Sequence, residues 1–303
     1  MPRPFQCYDR PMHSASKSVY AIPSQFVSLE EVGQVHYLAA GKGEPVVLLH
    51  GLAASVVAWR RNISVLAQRY AVYAPDLPGH GDSDKPDIAY SLDEGVRFLS
   101  RFLDALRLER AVLVGNSTGG LLALAMALRQ PERVRALVLV DIPGLGRELA
   151  WPLRLASVPG LGLALEALNI ATSQRFAPKL FYRPERIEPS VGRELARLQN
   201  DPGVRRAALR SLRHGVNLLG LHRLLLLLHD SPAKIPAPTL IVWGHEDRVT
   251  PVEHAHRAAS LIPGAQVCVL PDCGHWPQME QAQAFNEALL AFLAKVVPVE
   301  GKR

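Results

Sequence analysis

The stretch Gly115–Gly120, which reads GNSTGG, carries most of the information about the fold of this chain. It follows the apolar run Ala111–Val114 and precedes the helical pattern Leu121–Leu128. Glycines on both sides of Ser117 allow the backbone to turn sharply between a strand and a helix. A G-x-S-x-G turn in this context predicts a serine hydroxyl exposed above a sheet, with the N-terminus of the helix facing developing negative charge.

Short apolar runs on either side of this turn alternate with helical patterns. Strands are predicted at Val46–Leu49, Ala71–Ala74, Ala111–Val114, Ala136–Val140, Thr239–Trp243 and Gln266–Leu270. Helices are predicted at Ser91–Leu106, Thr118–Leu128 and Gln283–Val296. Nearly unbroken apolar strands are typical of parallel sheets covered by helices on both faces. The alternation predicts an α/β fold with a doubly wound, mostly parallel sheet, and Gln25–Gly41 predicts two further strands around a turn at Glu31–Gly33.

Residues 144–232 depart from this alternation. They contain 13 Lys or Arg and 7 Asp or Glu, whereas the rest of the chain has 21 of each. Helical patterns run through Gly192–Leu198 and Arg205–Leu228. We interpret the segment as a helical cap, or lid, inserted into an α/β core formed by residues 1–143 and 233–303. Its arginines either form a solvated face or bind an anionic substrate.

The composition limits the class of protein. The 303 residues are 48% hydrophobic and 20% charged, with a net charge of +6, which suits a soluble globular protein with a large core. Three scattered cysteines, Cys7, Cys268 and Cys273, form no CxxC pair and favour a reducing compartment, so we expect a cytoplasmic protein. The first thirty residues lack the apolar stretch of a signal peptide, and no run approaches the roughly 20 apolar residues of a membrane span.

Cofactor and partner signals are weak. Neither G-x-x-x-x-G-K-[ST] nor G-x-G-x-x-G occurs, and His254 and His256 have no third ligand at a matching spacing. The positive charge of the cap lacks interleaved aromatic residues, which argues against nucleic-acid binding. We therefore expect no cofactor, no metal, no nucleic acid and no membrane span, a small-molecule substrate, and a monomer or a homodimer.

A serine hydroxyl becomes a useful nucleophile only beside an oriented base. His275, in the GHW sequence after the last predicted strand, is the candidate base. Asp247 follows the strand Thr239–Trp243 and is the candidate acid, while Asp141, at the end of Ala136–Val140, is its rival. The order Ser117, Asp247, His275 is the Ser–Asp–His order of the G-x-S-x-G hydrolases.

The transition state also needs donors for an oxyanion. His50, Gly51 and Leu52 follow the strand Val46–Leu49, so the backbone N–H of Leu52 can lie near that of Thr118. Gly51 permits the close approach of the two backbone segments. The predicted oxyanion hole therefore consists of the N–H groups of Leu52 and Thr118.

Taken together, these motifs resemble those of α/β-hydrolases from about Gln25 to Val296. The matching stretches are HGLAAS from His50, DLPGHGDSDKP from Asp76, GNSTGG from Gly115, WGHEDRVTP from Trp243 and DCGHWPQME from Asp272. The resemblance implies a structural role for Asp76 and Asp82. Ser117, rather than an aspartate, distinguishes the chain from haloalkane dehalogenases and epoxide hydrolases, and HGLA differs from the HGGG of hormone-sensitive-lipase-like esterases.

Two groups within this superfamily provide competing expectations for the substrate. Lid-bearing carboxylesterases and lipases cleave esters, and the apolar stretches Leu149–Leu155 and Leu161–Leu168 suit a hydrophobic acyl or aryl group. We therefore predict a serine esterase that cleaves carboxylic esters of small to medium hydrophobic substrates through an acyl-enzyme on Ser117. Some relatives of this superfamily are binding modules instead, which leaves a pure binding role as a further alternative.

The other group is the meta-cleavage product hydrolases, which cleave a carbon–carbon bond in a dienoic keto acid. Asn116 and Trp276 match residues of that group, and Arg193 falls where it supplies a carboxylate-binding arginine. The group usually has an H-G-x-G-P-G-A loop, where this chain has HGLAASV. Gly51, Asn116, Trp276 and Arg193 are thus predicted substrate-binding residues. Alternatively, Asn116 stabilises the turn, Trp276 packs beside the pocket and Arg193 is solvated.

Overall fold

The computed structural model describes residues 22–146, 148–158, 160, 180–221 and 235–297. Its strands are β1 Ser24–Leu29, β2 Gly33–Ala40, β3 Pro45–Leu49, β4 Ala71–Pro75, β5 Ala111–Asn116, β6 Val134–Val140, β7 Val216–Asn217, β8 Gly220–Leu221, β9 Thr239–Gly244 and β10 Gln266–Leu270. Its α-helices are α1 Ile63–Leu66, α2 Leu92–Ala105, α3 Thr118–Arg129, α4 Trp151–Ala156, α5 Pro189–Asn200, α6 Pro202–Gly215, α7 Glu253–Leu261, α8 Pro277–Glu280 and α9 Ala282–Val296.

Eight of these strands form one sheet in the order β1-β2-β4-β3-β5-β6-β9-β10. The pairs β1–β2 and β2–β4 are antiparallel, and every other pair is parallel. This confirms the predicted α/β fold. Because the carboxyl ends of parallel strands meet at one edge, the loops after β3, β5, β9 and β10 come together there.

The central strands are buried on both faces, as their unbroken apolar runs predicted. Successive side chains of a strand point to opposite faces. Val46 and Leu48 pack with Trp59 and Phe285 on one face, whereas Val47 and Leu49 lie in the apolar cluster of the other face, with α2, α3 and α7. The sheet is therefore fixed from both sides and can hold its loops rigidly.

The start of helix α2 is determined by its local sequence. The Ser91 side chain accepts from Glu94 N–H at 3.3 Å, and a Glu94 carboxylate oxygen accepts from Ser91 N–H at 2.8 Å. This reciprocal capping box satisfies two N–H groups that would otherwise lack partners. Ser91, the first residue of the predicted helix, is thus its N-cap.

The described part of the cap contains α4, α5 and α6 and the small β7–β8 hairpin. The predicted helix Arg205–Leu228 is confirmed as far as Gly215, where α6 ends, and is wrong from Val216, where β7 begins. Residues 222–228 lie outside the described residues. β-Branched Val216 adopts extended backbone, and the Asn217 side chain accepts from Leu219 N–H at 2.9 Å, which closes the turn. The stretch Leu161–Leu168 and the proposed boundary at 232–233 lie outside the described residues.

None of the helices in the described ranges is long and apolar enough to cross a membrane.

Candidate active site

Ser117 occupies the predicted turn between β5 and α3. Its φ of 53° and ψ of −122° lie in a region that costs energy for a residue with a side chain. A Cβ on Gly115 would lie 2.4 Å from the Gly119 carbonyl carbon, and one on Gly119 would lie 2.3 Å from the Leu49 carbonyl oxygen. The glycines are therefore required by the close approach of three backbone segments, which together hold Ser117 in its strained conformation.

Asp247 and His275 form the expected acid–base pair. His275 Nδ1 lies 2.7 Å from Asp247 Oδ2, which also accepts from the Thr250 hydroxyl at 2.7 Å. The other oxygen of Asp247 accepts from the N–H groups of Val249 and Thr250 at 2.7 and 3.2 Å. Because the carboxylate only accepts, the proton of the neutral imidazole sits on Nδ1, which leaves the Nε2 lone pair available as a base.

Ser117 and His275 line the same cavity, whose volume is about 100 Å³. No hydrogen bond joins their side chains in this structure. Hydrogen bonds between catalytic groups are often long without substrate and shorten when it binds. The structure thus brings the predicted nucleophile and the predicted base to one space.

The loop that carries His275 is anchored at several points. Glu280, on α8, accepts from Gly274 N–H and Tyr182 N–H, each at 2.8 Å. The N–H of His275 donates to the Leu180 carbonyl at 2.7 Å. These bonds position the imidazole from both the core and the cap. Sequence reasoning missed this role of Glu280, although it lies in the quoted stretch DCGHWPQME, five residues after the histidine.

The end of β9 passes directly against the histidine loop. A Cβ on Gly244 would lie 2.0 Å from the Gly274 carbonyl oxygen. The N–H of Gly244 donates to Asp141 Oδ1 at 2.9 Å, so Asp141 supports the strand that leads to Asp247. The hydrogen bond to His275 Nδ1 comes from Asp247 and not from its rival Asp141.

Leu52 and Thr118, which carry the predicted oxyanion donors, line the same groove. Within the described ranges, the N–H groups of Leu52 and Thr118 have no hydrogen-bond acceptor. Gly51 is required between them, because a Cβ there would lie 3.1 Å from the Ser117 Cβ. The two donors therefore remain free for an oxygen that carries negative charge.

His50 fixes the peptide that precedes the first donor. Its Nε2 accepts from Leu77 N–H at 2.9 Å, so its Nδ1 carries the proton and donates to the Gly51 carbonyl at 2.8 Å. Burial lowers the pKa of His50, which keeps the ring neutral. Both ring nitrogens are thus used to orient the oxyanion loop.

The cavity at Ser117 is mainly apolar. Leu153, Leu195 and Leu209 contribute to its wall, and the polar side chains of its described lining are Ser117, Gln199 and His275. The described lining includes neither arginine nor lysine. Trp276, 3% exposed, also lines the cavity and packs edge-on against Phe181, with ring centroids 5.4 Å apart.

Asn116 lies behind this cavity and is absent from its described lining. Its buried amide donates to the carbonyls of His275 and Val140 at 3.1 and 3.3 Å. These contacts correspond to the alternative in which Asn116 stabilises the turn. They connect the end of β5 to the histidine loop.

Arg193 is exposed on α5 and is also absent from the described lining, which corrects its predicted place at the substrate. Leu195 and Gln199, four residues apart, turn one face of α5 toward the cavity. Arg193 precedes Leu195 by two positions, which is about 200° around a helix, so it points away.

Other arginines of the cap bind carboxylates of the core. Arg197 contacts Asp82 at 3.1 Å, and Arg210 pairs with Asp87. Arg183 lies 3.3 Å from Asp272. These cap arginines therefore hold the cap on the core rather than facing the cavity.

Asp76 has the structural role that the motif implied. It accepts from His36 Nδ1, Val56 N–H and Asp82 N–H at 2.7, 2.7 and 2.8 Å. Burial alone would raise the pKa of Asp76, but the charge and hydrogen bond of His36 lower it to about 2. His36, Asp76 and Asp82 could ligate a metal by proximity, but these hydrogen bonds already use both oxygens of Asp76.

A larger groove continues from the oxyanion loop. Its volume is about 430 Å³, within the range of small-molecule sites, and it shares Gly51 and Leu52 with the cavity at Ser117. Thr118 lines the groove, which runs past Leu122 toward Ile88 near the start of α2. Two spaces thus meet at the predicted oxyanion hole.

Comparisons with known proteins agree with this fold. Residues 44–282 match the family model described as alpha/beta hydrolase fold. The chain therefore belongs to the α/β-hydrolase family, and it is an enzyme of the hydrolase class.

Several members of that family resemble this chain over most of its length. The chain is 33% identical over 292 residues to 2-hydroxy-6-oxo-6-(2'-aminophenyl)hexa-2,4-dienoic acid hydrolase of Metapseudomonas resinovorans, covering 93% of this chain and 94% of that protein. It is 34% identical to 2-hydroxy-6-oxo-6-phenylhexa-2,4-dienoate hydrolase of Burkholderia cepacia, covering 89% and 96%. A solved meta-cleavage product hydrolase from Pseudomonas fluorescens aligns with a TM-score of 0.72 at 29% identity, covering 86% and 94%.

Proposed function

We propose that this enzyme hydrolyses the carbon–carbon bond beside the ketone of a dienoic keto acid, with Ser117, His275 and Asp247 as its catalytic triad. The similarity to meta-cleavage product hydrolases over about nine-tenths of the chain carries this proposal. It reverses the order predicted from sequence, in which ester hydrolysis came first. The triad geometry is compatible with both reactions, and the similarity to these relatives favours carbon–carbon hydrolysis.

In the proposed mechanism, Ser117 Oγ attacks the ketone carbon while His275 Nε2 takes the hydroxyl proton. The N–H groups of Leu52 and Thr118 stabilise the resulting oxyanion, and Asp247 stabilises the imidazolium. Before this attack the dienol tautomerises to a ketone, its hydroxyl proton moving to the carbon beside the reacting carbonyl, so that this carbon becomes saturated. The carbon–carbon bond then breaks, the electrons of the leaving carbon delocalise through the neighbouring double bond into the keto acid, and the leaving carbon takes the proton from His275. Water activated by His275 finally hydrolyses the acyl-enzyme.

The two adjoining spaces suit a substrate that extends on both sides of its carbonyl. One arm fits the apolar cavity beside Trp276, and the other fits the groove beyond Thr118. We propose that the acyl arm occupies the smaller cavity. The leaving arm then lies in the groove along α2.

Ester hydrolysis is the second candidate, and one observation favours it. The described lining of the cavity at Ser117 is mainly apolar. Such a wall suits the acyl or aryl group of a hydrophobic ester. The mechanism differs only in the leaving group, which is then an alcohol.

A direct comparison of substrates tests the proposal. Purified enzyme is assayed with 2-hydroxy-6-oxo-6-phenylhexa-2,4-dienoate, followed by the loss of its absorption, and with p-nitrophenyl acetate, butyrate and octanoate. We expect kcat/KM for the keto acid to exceed that of every ester by about tenfold or more. The reverse ratio would establish esterase activity and overturn the carbon–carbon assignment.

A pure binding role is tested separately with a fluorophosphonate probe, which labels an activated serine. We expect labelling at Ser117 in the unmodified enzyme and none in His275→Ala. An unlabelled Ser117 in folded protein would contradict any hydrolase mechanism at this site.

The proposal also includes the remaining expectations from the sequence. These are a cytoplasmic location, the division of the chain into a core and a cap, and a monomeric or homodimeric state.

A further inference from the structure

A second carboxyl group lies behind the proposed triad. Asp141 follows β6, is fully buried and has a positive φ of 47°. Its Oδ1 accepts from Gly244 N–H at 2.9 Å. Its Oδ2 is equally buried but has no hydrogen-bond donor among the residues that the structure describes. A buried carboxylate oxygen without a donor is costly, so its environment requires an explanation.

The groups nearest to this oxygen are those of the triad. Polar atoms of Asp141, Asp247 and His275 lie within 4.8 Å of one another. Both oxygens of Asp247 are already occupied as acceptors, by Val249, Thr250 and His275. Two carboxyl groups therefore lie close together in a buried site.

Charges in the surroundings do not offset the repulsion that the carboxylates of Asp141 and Asp247 would have if both were charged. Glu280 on α8 is a further acid near Asp141, and Glu246, after β9, lies beside Cys273. Burial keeps the Cys273 thiol neutral by raising its pKa. In the described part of the chain, His275 is the basic partner of Asp247, and Asp141 forms no ion pair. No lysine or arginine neutralises the second carboxylate there.

Two adjacent buried carboxyl groups share a proton when nothing else compensates their charges. Burial, followed by the negative charge of Asp247, raises the pKa of Asp141 well above its ordinary value. Asp247 accepts hydrogen bonds from several N–H and O–H groups, whereas Asp141 Oδ2 accepts none from the described residues. The proton therefore belongs to Asp141.

We propose that Asp141 is protonated in the resting enzyme and that its Oδ2 hydroxyl donates a hydrogen bond to Asp247, so that the pair holds one proton and one negative charge. Asp141 is then a positioning residue, since it touches neither the substrate nor the reacting atoms. It holds the Asp247 carboxylate in place without adding a second charge behind the imidazole. The consequence for catalysis rests on the proposed triad, but the protonation state does not.

Infrared spectroscopy tests the protonation state without substrate. The difference spectrum between the unmodified enzyme and Asp141→Asn at pH 7 should contain the C=O stretch of a protonated carboxylic acid, which shifts in D₂O. Asp104→Asn, at an exposed carboxylate, controls for the absorption of the new amide. A difference spectrum with only carboxylate bands would overturn the proposal, whether or not the enzyme cleaves the proposed substrate.

Kinetics test the positioning role. The amide introduced by Asp141→Asn can accept from Gly244 and donate to Asp247, as the protonated acid does, whereas Asp141→Leu can do neither. We expect Asp141→Leu to lower kcat/KM by about tenfold or more and Asp141→Asn to recover most of that loss. The acid limb of the pH–rate profile should keep its midpoint in Asp141→Asn. A downward shift of about one pH unit would show that a negative charge had been removed, and would contradict a neutral Asp141.

Discussion

The position of Ser117 is set by the neighbouring glycines and not by hydrogen bonds of its own side chain. The turn glycines fix its backbone at a positive φ, and its hydroxyl faces the cavity without a hydrogen bond to His275. Removal of the hydroxyl therefore leaves the packing of β5 and α3 intact. A substitution that removes this hydroxyl should therefore abolish activity and leave the stability of the fold almost unchanged.

We expect Ser117→Ala to lower kcat by about 10⁴-fold or more, because no other group can form the acyl-enzyme. The midpoint of thermal unfolding should stay within about 2 °C of the unmodified value. Steady-state kinetics and differential scanning fluorimetry measure the two effects, and Ser100→Ala, at a serine on α2, is the control. Residual activity of more than a few per cent would assign the nucleophile elsewhere.

The buried His36–Asp76 pair should make stability depend on pH. The pKa of Asp76 falls from 3.8 to about 2 on folding, so its contribution is present above pH 3.8 and disappears as the pH falls toward 2. Burial lowers the pKa of His36, but Asp76 raises it to a net value above 6.5, so this contribution is complete below pH 6.5 and is lost as the pH rises through the folded pKa.

The difference in unfolding free energy between the unmodified enzyme and Asp76→Asn should therefore be largest from about pH 4 to 6.5. It should shrink by about 2 kcal/mol toward pH 2, since one pKa unit corresponds to about 1.4 kcal/mol. Urea denaturation across this range measures it, with Asp104→Asn as the exposed control. A difference that does not vary with pH would show that His36 and Asp76 are not ionically coupled.

Single residues could be assigned from sequence where a local motif defines them. Ser117 lies in its turn and His275 follows the last strand, so both were found. Asp247 and Asp141 each end a strand of the same sheet, and the choice between them depends on which carboxylate reaches Nδ1. Their mutual contact joins segments more than a hundred residues apart, so no local pattern could reveal it.

At the scale of elements, α5 connects the cap to the core. Glu194 is 3% exposed, and its carboxylate oxygens accept from Arg197 Nε and Nη2 at 2.8 and 2.7 Å. Arg197 also contacts Asp82 of the core at 3.1 Å. A single guanidinium thus neutralises a buried acid and attaches the helix to the loop after β4.

Loss of the Arg197 guanidinium should lower the free energy of unfolding. We expect Arg197→Ala to destabilise the protein by about 2 kcal/mol, a midpoint decrease of about 5 °C, because Glu194 is left buried without its cation. Arg193→Ala, on the same helix but exposed, should change stability by less than about 0.5 kcal/mol and leave kcat/KM for the keto acid intact. A large loss of activity in Arg193→Ala would restore its predicted role at the substrate carboxylate.

Helices and strands could be predicted from the sequence where the residues that determine them lie close together in the chain. The core strands are continuous apolar runs, and Ser91 with Glu94 forms a capping box visible in the sequence. The sequence could not predict which face of α5 is turned toward the cavity, because this depends on where the cap packs on the core. The end of α6 at Gly215 was missed for a related reason: the apolar pattern continues beyond it, while the chain turns back into the β7–β8 hairpin.

At the scale of the whole molecule, the cavity and the groove meet at Gly51 and Leu52. Core loops, α2 and the cap all contribute to these walls. The size of each substrate arm is therefore set by elements that are distant in sequence. Substrate preference should change at positions far from the triad.

We expect Ile88→Trp, at a half-buried site in the groove, to lower kcat/KM about tenfold for substrates with a long leaving arm. Substrates with a small leaving group should be affected less than about twofold. Leu290→Trp, at a half-buried site on α9 outside both spaces, is the matched control. Equal losses for long and short leaving arms would exclude the groove as a substrate site.

The contact between Gly244 and Gly274 has a consequence for how this enzyme can vary. The two peptide chains touch without any intervening side chain, so this main-chain contact limits how far the strand that leads to Asp247 can lie from the loop that carries His275. Even a methyl group at position 244 would push the two segments apart and move the imidazole away from its carboxylate. Changes of specificity should therefore arise in the cap and the groove, while the spacing of the proposed triad tolerates little change.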